Sequence, residues 1–282
     1  MTYILFDIGG TKTRVAKSDN LESYDEPIKF ETLHDFSAGI EKFTDVVREV
    51  SAGQKIQGMA GGIRGILNRE KTMMVNDPGK VLLNWAGRHL VSELEKTFHT
   101  QVYLENDTAI VGLGEAVFGA GKGYPIVAYH TVSTGVGGAR IVDQHVDSAH
   151  AGFEPGHQVL DLDRTVLGSA ISPTLENLVS GSALETRRGV KPYEIAQDDS
   201  VWDDLARYLA YGLKNTLVYW SPDIIVLGGS MIVGDPRIFN EDIVRHTKEV
   251  AKDLPVPPIV DAELEDEGGL YGAMALLRQK VS

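Results

Sequence analysis

A carboxylate and a pair of glycines stand close together near the start of the chain, in Asp7-Ile8-Gly9-Gly10-Thr11-Lys12. Glycine lets backbone N–H groups approach phosphoryl oxygens closely, and the hydroxyls of Thr11 and Thr13 and the Lys12 cation add donors. The Asp7 carboxylate suits a hydrated Mg²⁺ beside the phosphates. The motif indicates a phosphate-binding hairpin, and a tight structural turn is the competing explanation.

A second glycine-rich turn, Ser133-Thr134-Gly135-Val136-Gly137-Gly138, has the same surroundings as the first. Each turn follows an apolar segment and leads into a segment that carries an arginine, Arg14 or Arg140. We therefore predict an internal repeat whose two turns bind one phosphate chain. Chance likeness between two glycine-rich hairpins is the alternative.

An adjacent amide and carboxylate, Asn106-Asp107, stand where a predicted strand gives way to a helix. A carboxylate there suits the removal of a proton from a substrate hydroxyl, while the amide positions that substrate. Phosphoryl transfer needs such positioning together with stabilisation of phosphate charge. A helix N-cap at Asp107 is the structural alternative.

Two further turns carry polar or flexible residues. Glu154-Pro155-Gly156-His157 places a carboxylate and an imidazole three positions apart, and such a pair suits the hydroxyls of a polyol. The pair Gly228-Gly229 follows an apolar strand and would let a flat nucleotide base lie against the backbone. A surface turn and a plain strand-to-helix turn are the respective structural alternatives.

The composition indicates a folded protein with little affinity for nucleic acids. Among 282 residues, 27 basic and 40 acidic side chains give a net charge of -13, which repels nucleic acids and anionic membranes. No leader-like segment and no run of about 18 apolar residues is found, so we expect a cytoplasmic protein without a membrane partner. Zero cysteines exclude disulfides, thiol catalysis and cysteine-ligated zinc.

Alternating and helical periodicities predict the order β-β-β-α-β-α-β before residue 107. A helix cap is expected at Asp35 or Ser37, and an extra hairpin around Lys71 to Val75. The predicted strands are Tyr3 to Ile8, Thr13 to Lys17, Ile28 to Leu33, Ile56 to Met59, Val102 to Leu104, Ile126 to Val132, Ala139 to Val142 and Asp223 to Leu227. The predicted helices include Ile40 to Val50, Leu90 to Phe98, Leu205 to Trp220 and Gly268 to Leu277.

These motifs, in this order and with the terminal Gly268-Gly269-Leu270-Tyr271-Gly272-Ala273, resemble the ROK family of sugar kinases and sugar-responsive repressors over nearly the whole chain. The resemblance implies an α/β fold, the two-lobed actin-like (ribonuclease-H-like) ATPase fold with a sugar and ATP cleft between its lobes. It implies a small lobe at 1–106, a large lobe at 107–267 with the nucleotide site and a dimer surface, and a C-terminal helix at 268–282 that packs back near the small lobe.

The resemblance also implies roles for individual residues. Asp107 matches the catalytic base. The predicted sugar ligands are Asn106, Asp107, Glu154, His157 and Glu176. The predicted ligands of ATP and Mg²⁺ are Asp7, Gly9, Gly10, Thr11, Lys12, Thr134, Gly135, Gly137, Gly138, Gly228 and Gly229, with Asp7 reaching the metal through water.

Two departures from the family pattern bear on the site. Leu167, Ser169 and Thr174 occupy the positions where many members have a cysteine-rich zinc motif, so the structural zinc is predicted to be absent and packing must support that segment. A site built from His145, His150 and His157 would not fit a standard ligand spacing. The second departure is Gly61-Gly62-Ile63-Arg64-Gly65, where the family commonly has a Pro-Gly-Pro turn beside the sugar, and it leaves the sugar undetermined.

The expected function is ATP-dependent phosphorylation of a hexose hydroxyl, as in glucokinases and fructokinases, by a homodimer. One alternative is a hexose kinase that uses inorganic polyphosphate, although the sequence shows no added basic groove for that polyanion. The other is a non-catalytic sugar sensor of the same fold. The family's repressors carry a DNA-binding domain before the first phosphate turn, and here that turn starts at Asp7.

Overall fold

The structure is a computed structural model that describes residues 1–281. It is a mixed α/β protein whose strands form two five-stranded sheets and one small hairpin. The strands are β1 Thr2–Ile8, β2 Lys12–Ser18, β3 Ile28–Glu31, β4 Ile56–Ile63, β5 Ile66–Leu67, β6 Met74–Asn76, β7 Val102–Asn106, β8 Ile126–Val132, β9 Val136–Val142, β10 His145–Val146, β11 Ile224–Gly228 and β12 Ile259–Asp261.

Helices connect and cover these strands. The α-helices are α1 Phe36–Ser51, α2 Leu90–Phe98, α3 Asp107–Val117, α4 Leu175–Val179, α5 Gly181–Arg188, α6 Val201–Trp220, α7 Ser230–Val233, α8 Asn240–Ala251 and α9 Gly268–Val281. Short 3-10 helices occur at Leu83–Trp85, Pro155–His157, Pro192–Glu194 and Glu265–Glu267. Within residues 1–281, no helix combines the length and apolar character that crossing a bilayer requires.

The chain divides into two compact units. The first unit contains Met1–Val117, Ser148–Gly152 and the chain from Asp266 onward, and the second contains Phe118–Asp147 and Phe153–Glu265. By its contacts, α3 belongs to the first unit. The lobe boundary expected at 106/107 stays a prediction.

The two large sheets share one topology. The strand order is β3-β2-β1-β4-β7 in the first unit and β10-β9-β8-β11-β12 in the second. In each sheet the first three strands form an antiparallel meander, and the last two lie parallel to the first strand of that meander. The internal repeat predicted from the two glycine-rich turns is therefore confirmed at the level of strand order.

Each sheet lies against its own apolar core. In the first unit the core includes Phe6 of β1 and Phe43 of α1, whose rings meet edge to face with centroids 5.4 Å apart. The α1 helix is oriented by its apolar face and begins at a cap, since the Asp35 carboxylate accepts the N–H of Ala38 at 2.9 Å. The predicted cap at Asp35 is thus confirmed over Ser37.

Most predicted elements are found, with shifts at their ends. β4 continues to Ile63, four residues beyond the predicted end at Met59, because its last residues pair with both β1 and β7. β9 begins at Val136, three residues before Ala139, and β3 ends at Glu31, two residues before Leu33. The predicted C-terminal helix is observed as Gly268–Val281, and residue 282 lies outside the described residues.

The closest helix pair in the first unit, α3 and α9, depends on glycines. A Cβ on Gly114 of α3 would lie 2.5 Å from the carbonyl oxygen of Gly268, and a Cβ on Gly272 of α9 would overlap the carbonyl oxygen of Ile110. The two backbones therefore approach more closely than any side chain at these positions would allow.

We expect Gly272→Ala to lower the free energy of unfolding by about 2 kcal/mol or more, because the added methyl group must push the α3 and α9 backbones apart. Urea denaturation measures this change. The control is Lys280→Ala at an exposed position of the same helix, which should stay within about 0.5 kcal/mol of the wild type. Equal stability of the two variants would contradict the packing described here.

Candidate active site

The first glycine turn joins β1 to β2 by only three residues, and its tight packing favours glycine. The N–H of Gly9 donates to the carbonyl oxygen of Lys12 at 3.0 Å, and a Cβ on Gly9 would lie 3.0 Å from that oxygen. Thr11 and Lys12 are exposed at the turn, as a ligand-binding role requires. Thr13 is buried and hydrogen-bonded to Thr32 (Oγ1 to Oγ1, 2.8 Å), so the prediction that its hydroxyl binds phosphate is wrong.

Asp7, at the end of β1, is a largely buried carboxylate. Arg14 bridges two acids: its Nη1 lies 3.3 Å from Asp7 Oδ2 and its Nη2 lies 3.1 Å from Asp266 Oδ2. The first turn of α9 is close as well, because a Cβ on Gly269 would lie 2.9 Å from Asp7 Cγ. Burial raises the pKa of Asp7 to about 6 despite the favourable charge of Arg14, and the negative charge of Asp107 adds to this rise.

The surroundings of Asp7 fit a magnesium ion carried by phosphate groups. Mg²⁺ keeps several waters and is commonly held by one or two carboxylates together with substrate phosphates. A carboxylate whose pKa is raised by burial and by neighbouring acids gains from a nearby cation. Within residues 1–281, no three His, Cys, Asp or Glu side chains lie together as ligands for a metal ion.

Asn106 and Asp107 lie at the junction of β7 and α3, and their side chains make different hydrogen bonds. Asn106 caps the helix, since its Oδ1 accepts the N–H of Ala109 at 3.0 Å. Its Nδ2 donates to the carbonyl oxygen of Gly65 at 3.0 Å and to Asp107 Oδ1 at 3.1 Å. Asp107 Oδ1 also accepts the N–H of Thr108 at 2.9 Å. The cap alternative for Asp107 is therefore wrong by one residue.

The second carboxylate oxygen of Asp107 accepts no hydrogen bond from the part of the chain that the structure describes, and so remains available to a substrate hydroxyl. Burial raises the pKa of the Asp107 carboxyl, whereas the N–H of Thr108 and the positive charge of Arg64 work in the opposite direction. A raised pKa makes a carboxylate a stronger proton acceptor near neutral pH.

Two ion pairs near this junction involve residues that the sequence did not predict to belong to the site. Glu105 is buried beside Asn106, its Oε1 accepts the N–H of Asn106 at 3.0 Å, and its Oε2 forms an ion pair with Lys71. Arg64 forms an ion pair with the buried Asp77 at 3.1 Å. The sequence predicts Lys71 only as part of a hairpin and marks Arg64 only as part of a departure from a family pattern. The signal in the sequence was Glu105, a charged residue directly after the predicted strand Val102 to Leu104.

In the second unit, Val136 brings three of the predicted segments together. Its N–H donates to Glu176 Oε2 at 2.8 Å, and that same oxygen would lie 2.6 Å from a Cβ on Gly135. A Cβ on Gly156, in the Glu154 to His157 turn, would overlap the carbonyl oxygen of Val136. The glycine turn, Glu176 and the polar turn thus form one half-site.

The predicted residues of this half-site differ in exposure. Glu154 and His157 are exposed, and the 3-10 turn between them is closed by the N–H of His157 donating to the Glu154 carbonyl oxygen at 3.1 Å. Gly138 lies inside β9, where a Cβ would be 2.6 Å from Pro155 Cγ, so packing against the polar turn already accounts for this glycine. The ligand roles of these residues stay predictions.

Gly228 and Gly229 end β11, which lies parallel to β8. Gly229 has a φ of 90°, and a Cβ there would lie 2.6 Å from Thr131 Oγ1, so a side chain is excluded on both grounds. The next residue, Ser230, is hydrogen-bonded to Ser133 of the second glycine turn (Oγ to Oγ, 3.0 Å). The two turns therefore lie side by side.

A cavity of about 350 Å³ opens beside these two turns. Its volume is at the lower end of the range typical of small-molecule sites. Residues of the glycine turn, of α5 and of the α7 region line it, among them Ser133, Thr134, Ser182, Lys191, Tyr193 and Ser230.

The segment that departs from the zinc motif is held by packing and hydrogen bonds. The Asp161 carboxylate accepts the N–H groups of Thr165 (3.0 Å) and Leu167 (2.7 Å), and the Leu167 side chain is buried in the core of the second unit. Thr174 caps α4, since its hydroxyl accepts the N–H of Asn177. These contacts supply the support that the sequence left undetermined.

Comparison with known proteins identifies the family of the chain. The model of the ROK family matches residues 3–280. A fructokinase from Lactococcus lactis subsp. cremoris is 28% identical over 235 residues, which cover 82% of this chain and 79% of that protein.

Solved structures share the fold over the full length. A ROK hexokinase from Thermus thermophilus superimposes with a TM-score of 0.86 at 25% identity and 100% coverage of both chains. A ROK family glucokinase from Streptomyces griseus, in complex with glucose and AMPPNP, gives a TM-score of 0.78 at 23% identity and covers 99% of this chain and 100% of that one. The two-lobed actin-like fold predicted from the sequence is confirmed.

We expect the stability of the chain to depend on the ionisation of Asp7. Because its folded pKa is about 6 and the ordinary value is 3.8, this group stabilises the folded state fully below about pH 4, and that stability is lost as the pH rises through 6. The loss amounts to about 3 kcal/mol at 1.36 kcal/mol per pKa unit. The free energy of unfolding of Asp7→Asn, relative to that of the wild type, should therefore rise by about 3 kcal/mol from about pH 4 to pH 8.

Urea denaturation at both pH values, with EDTA present, measures this difference. The control is Asp266→Asn, which also removes a partner of Arg14, but an exposed one, so this variant should stay within about 1 kcal/mol of the wild type. A difference between Asp7→Asn and wild type that does not change with pH would show that Asp7 titrates in the ordinary range.

Proposed function

The chain belongs to the ROK family, and we propose that it is a sugar kinase that transfers the terminal phosphoryl group of ATP to a hexose hydroxyl. One observation carries this proposal: the glycine turn with Asp7 and the proton acceptor Asp107 lie at the same edge of one sheet. A Cβ on Gly62, between them, would lie 3.2 Å from Asp107 Cα and 3.7 Å from Asp7 Oδ1.

In the proposed reaction, the sugar hydroxyl, most simply the primary one, attacks the γ-phosphorus, and its proton passes to the Asp107 carboxylate. The bond from phosphorus to the bridging oxygen breaks, and ADP leaves with the electron pair. The available Oδ2 of Asp107 and the raised pKa of its carboxyl both suit this role. Asn106 supports it by fixing the other carboxylate oxygen.

In this proposal, each glycine turn presents donors to phosphate oxygens. We propose the backbone N–H groups of Gly10 and Gly135 as donors to phosphoryl oxygens, with Thr11, Lys12 and Thr134 as further donors, since the Gly9 N–H is already bonded to the Lys12 carbonyl oxygen. Bound Mg²⁺ supplies charge neutralisation and a template for the phosphates. Asp7 would hold that ion through water, beside the turn.

The nucleotide and the sugar are assigned to the second unit's half-site. The cavity lined by Thr134 and Ser230, which directly follows Gly228-Gly229 in the chain, is the proposed position of the adenosine part of ATP. The exposed pair Glu154 and His157, together with the free oxygen of Glu176, are the proposed ligands of the sugar hydroxyls. A fructokinase relative makes a ketohexose one candidate among several.

We also propose a cytoplasmic homodimer. The helix α6 supports the dimer, since Tyr211, Val218 and Tyr219 expose 47%, 54% and 79% of their surface, and Val218 lies about two turns after Tyr211 on the same side of the helix. Large exposed apolar side chains in one patch are typical of protein interfaces.

The first test is a panel of sugars with a coupled assay of ADP release. With ATP and Mg²⁺ we expect turnover on at least one of glucose, fructose, mannose, N-acetylglucosamine and N-acetylmannosamine, and far less with inorganic polyphosphate as donor. Sugar binding without turnover with either donor would instead select the sensor alternative, and turnover with polyphosphate alone would replace ATP as the donor.

The second test replaces the proposed base. Asp107→Asn keeps an oxygen that accepts the Thr108 N–H but removes the proton acceptor, so kcat should fall by about 10²- to 10⁴-fold. Asp45→Asn on the exposed surface of α1 is the matched control and should leave kcat unchanged. If Asp107→Asn turns over at the wild-type rate, another group accepts the proton.

A further inference from the structure

Arg64 follows the end of β4, and its backbone is fixed between two parts of the proposed active site. Its N–H donates to the carbonyl oxygen of Ile8 at 3.0 Å, just before the first glycine turn. The carbonyl oxygen of the next residue, Gly65, accepts the Asn106 side chain at 3.0 Å. Arg64 therefore lies between the glycine turn that follows β1 and the Asn106-Asp107 pair at the junction of β7 and α3.

The Arg64 side chain is directed to these same two neighbours. A Cβ on Gly10 would lie 3.3 Å from Arg64 Cδ and 3.6 Å from Arg64 Nη1, so the guanidinium lies against the glycine turn. Its positive charge also acts on Asp107, where it opposes the effect of burial on the pKa of that carboxyl. The Arg64 cation therefore lies near both the first glycine turn and the Asp107 carboxylate.

A buried carboxylate holds the guanidinium in place while leaving donors unused. Arg64 Nε donates to Asp77 Oδ1 at 3.1 Å, and Asp77, with only 1% of its side chain exposed, accepts the N–H of Leu82 at 2.6 Å. A Cβ on Gly79 would overlap Arg64 Nη2, so glycine leaves room for the guanidinium. Neither Nη1 nor Nη2 has a protein acceptor within residues 1–281, and the Arg64 side chain is 31% exposed.

The other guanidinium at this sheet edge is already engaged. Both Nη atoms of Arg14 contact carboxylates, one on Asp7 and one on Asp266. Arg64 is therefore the arginine whose terminal nitrogens are open to a ligand here.

We propose that the Arg64 guanidinium contacts the phosphoryl group in flight and stabilises the charge on its oxygens. The proposal rests on the phosphoryl-transfer function given above. As the bond from the sugar oxygen to phosphorus forms and the bond to the bridging oxygen of ADP breaks, negative charge spreads over three equatorial oxygens. A planar guanidinium that is fixed at Nε presents Nη1 and Nη2 to such oxygens without further reorganisation.

The experiment uses the full chain with ATP, Mg²⁺ and the best sugar of the panel. Arg64→Gln should lower kcat by about 10³-fold, the lower end of the effect of a transition-state arginine, with the KM values for ATP and sugar changed by less than about threefold. Arg69→Gln, an exposed arginine on the neighbouring β5–β6 loop, is the control and should keep the wild-type kcat.

A binding measurement separates this role from a structural one. In the presence of sugar and Mg²⁺, Arg64→Gln should bind ADP with aluminium fluoride, a mimic of the phosphoryl group in transfer, about 10²-fold more weakly or worse, while AMPPNP binding stays near the wild-type value. Should Arg64→Gln fail to fold, Arg64→Lys replaces it. That variant keeps a positive charge without the fork and should still lose kcat and aluminium fluoride affinity together.

The outcomes distinguish the two proposals. If the wild type phosphorylates a sugar and Arg64→Gln, or Arg64→Lys in its place, matches Arg69→Gln, the role of Arg64 is wrong and the kinase function stands. The role is equally wrong if the loss appears in the KM for the sugar alone, because Arg64 would then be a sugar ligand. A wild type that phosphorylates no sugar with ATP or polyphosphate overturns the kinase function and the role of Arg64 with it.

Discussion

The close approach of three parallel strands, β1, β4 and β7, is the constraint on which the first half-site depends. Gly61 and Gly62 of β4 make it possible: a Cβ on Gly61 would overlap Phe6 of β1, and one on Gly62 would lie 2.7 Å from Ile110 of α3. The register then sets Asp7 opposite Gly62 and Ile63 opposite Asn106. Parallel strands end at the same edge of a sheet. The glycine turn, Arg64 and Asp107 each follow directly after one of these three strands, so they meet at that edge without long loops.

Several charged side chains at this edge form ion pairs, whereas the buried Asp107 carboxylate forms none within residues 1–281. Arg14 joins Asp7 to Asp266, Asp77 fixes Arg64, and Glu105 pairs with Lys71 while accepting the Asn106 N–H. Breaking a buried pair leaves an uncompensated charge, so these contacts keep the side chains in one geometry. These ion pairs fix the acidic side chains at this edge. Within residues 1–281, Asp107 Oδ2 and the Nη1 and Nη2 atoms of Arg64 remain open to a ligand.

The second unit repeats the strand order of the first with different side chains at the corresponding turn. Its glycine turn contacts Glu176, whose Oε2 accepts the Val136 N–H, and a cavity lies beside Thr134 of the turn and Ser230. One topology therefore provides a turn with acids in the first unit and a turn with a cavity in the second.

Motifs with a strict backbone requirement could be predicted from the sequence, and contacts made across the sheet could not. The pairs Gly9-Gly10 and Gly228-Gly229 indicate turns, because tight turns favour glycine. The likeness between the turn at Gly9-Gly10 and the turn at Ser133 to Gly138 predicted the internal repeat. Nothing local reveals that Thr13 faces Thr32, since that depends on pairing between β2 and β3. Likewise, Asn106 caps α3 instead of Asp107, and Arg64 meets Gly10 only because β4 lies between β1 and β7.

Phosphorus NMR of the complete reaction tests the central claim most directly. With the purified chain, ATP, Mg²⁺ and a hexose, a sugar phosphate monoester signal should grow as the γ-phosphate signal of ATP declines, and Asp107→Asn should slow both changes together. Loss of the γ-phosphate signal with only inorganic phosphate formed, or no change with any hexose, would contradict the assignment of this chain as a hexose kinase.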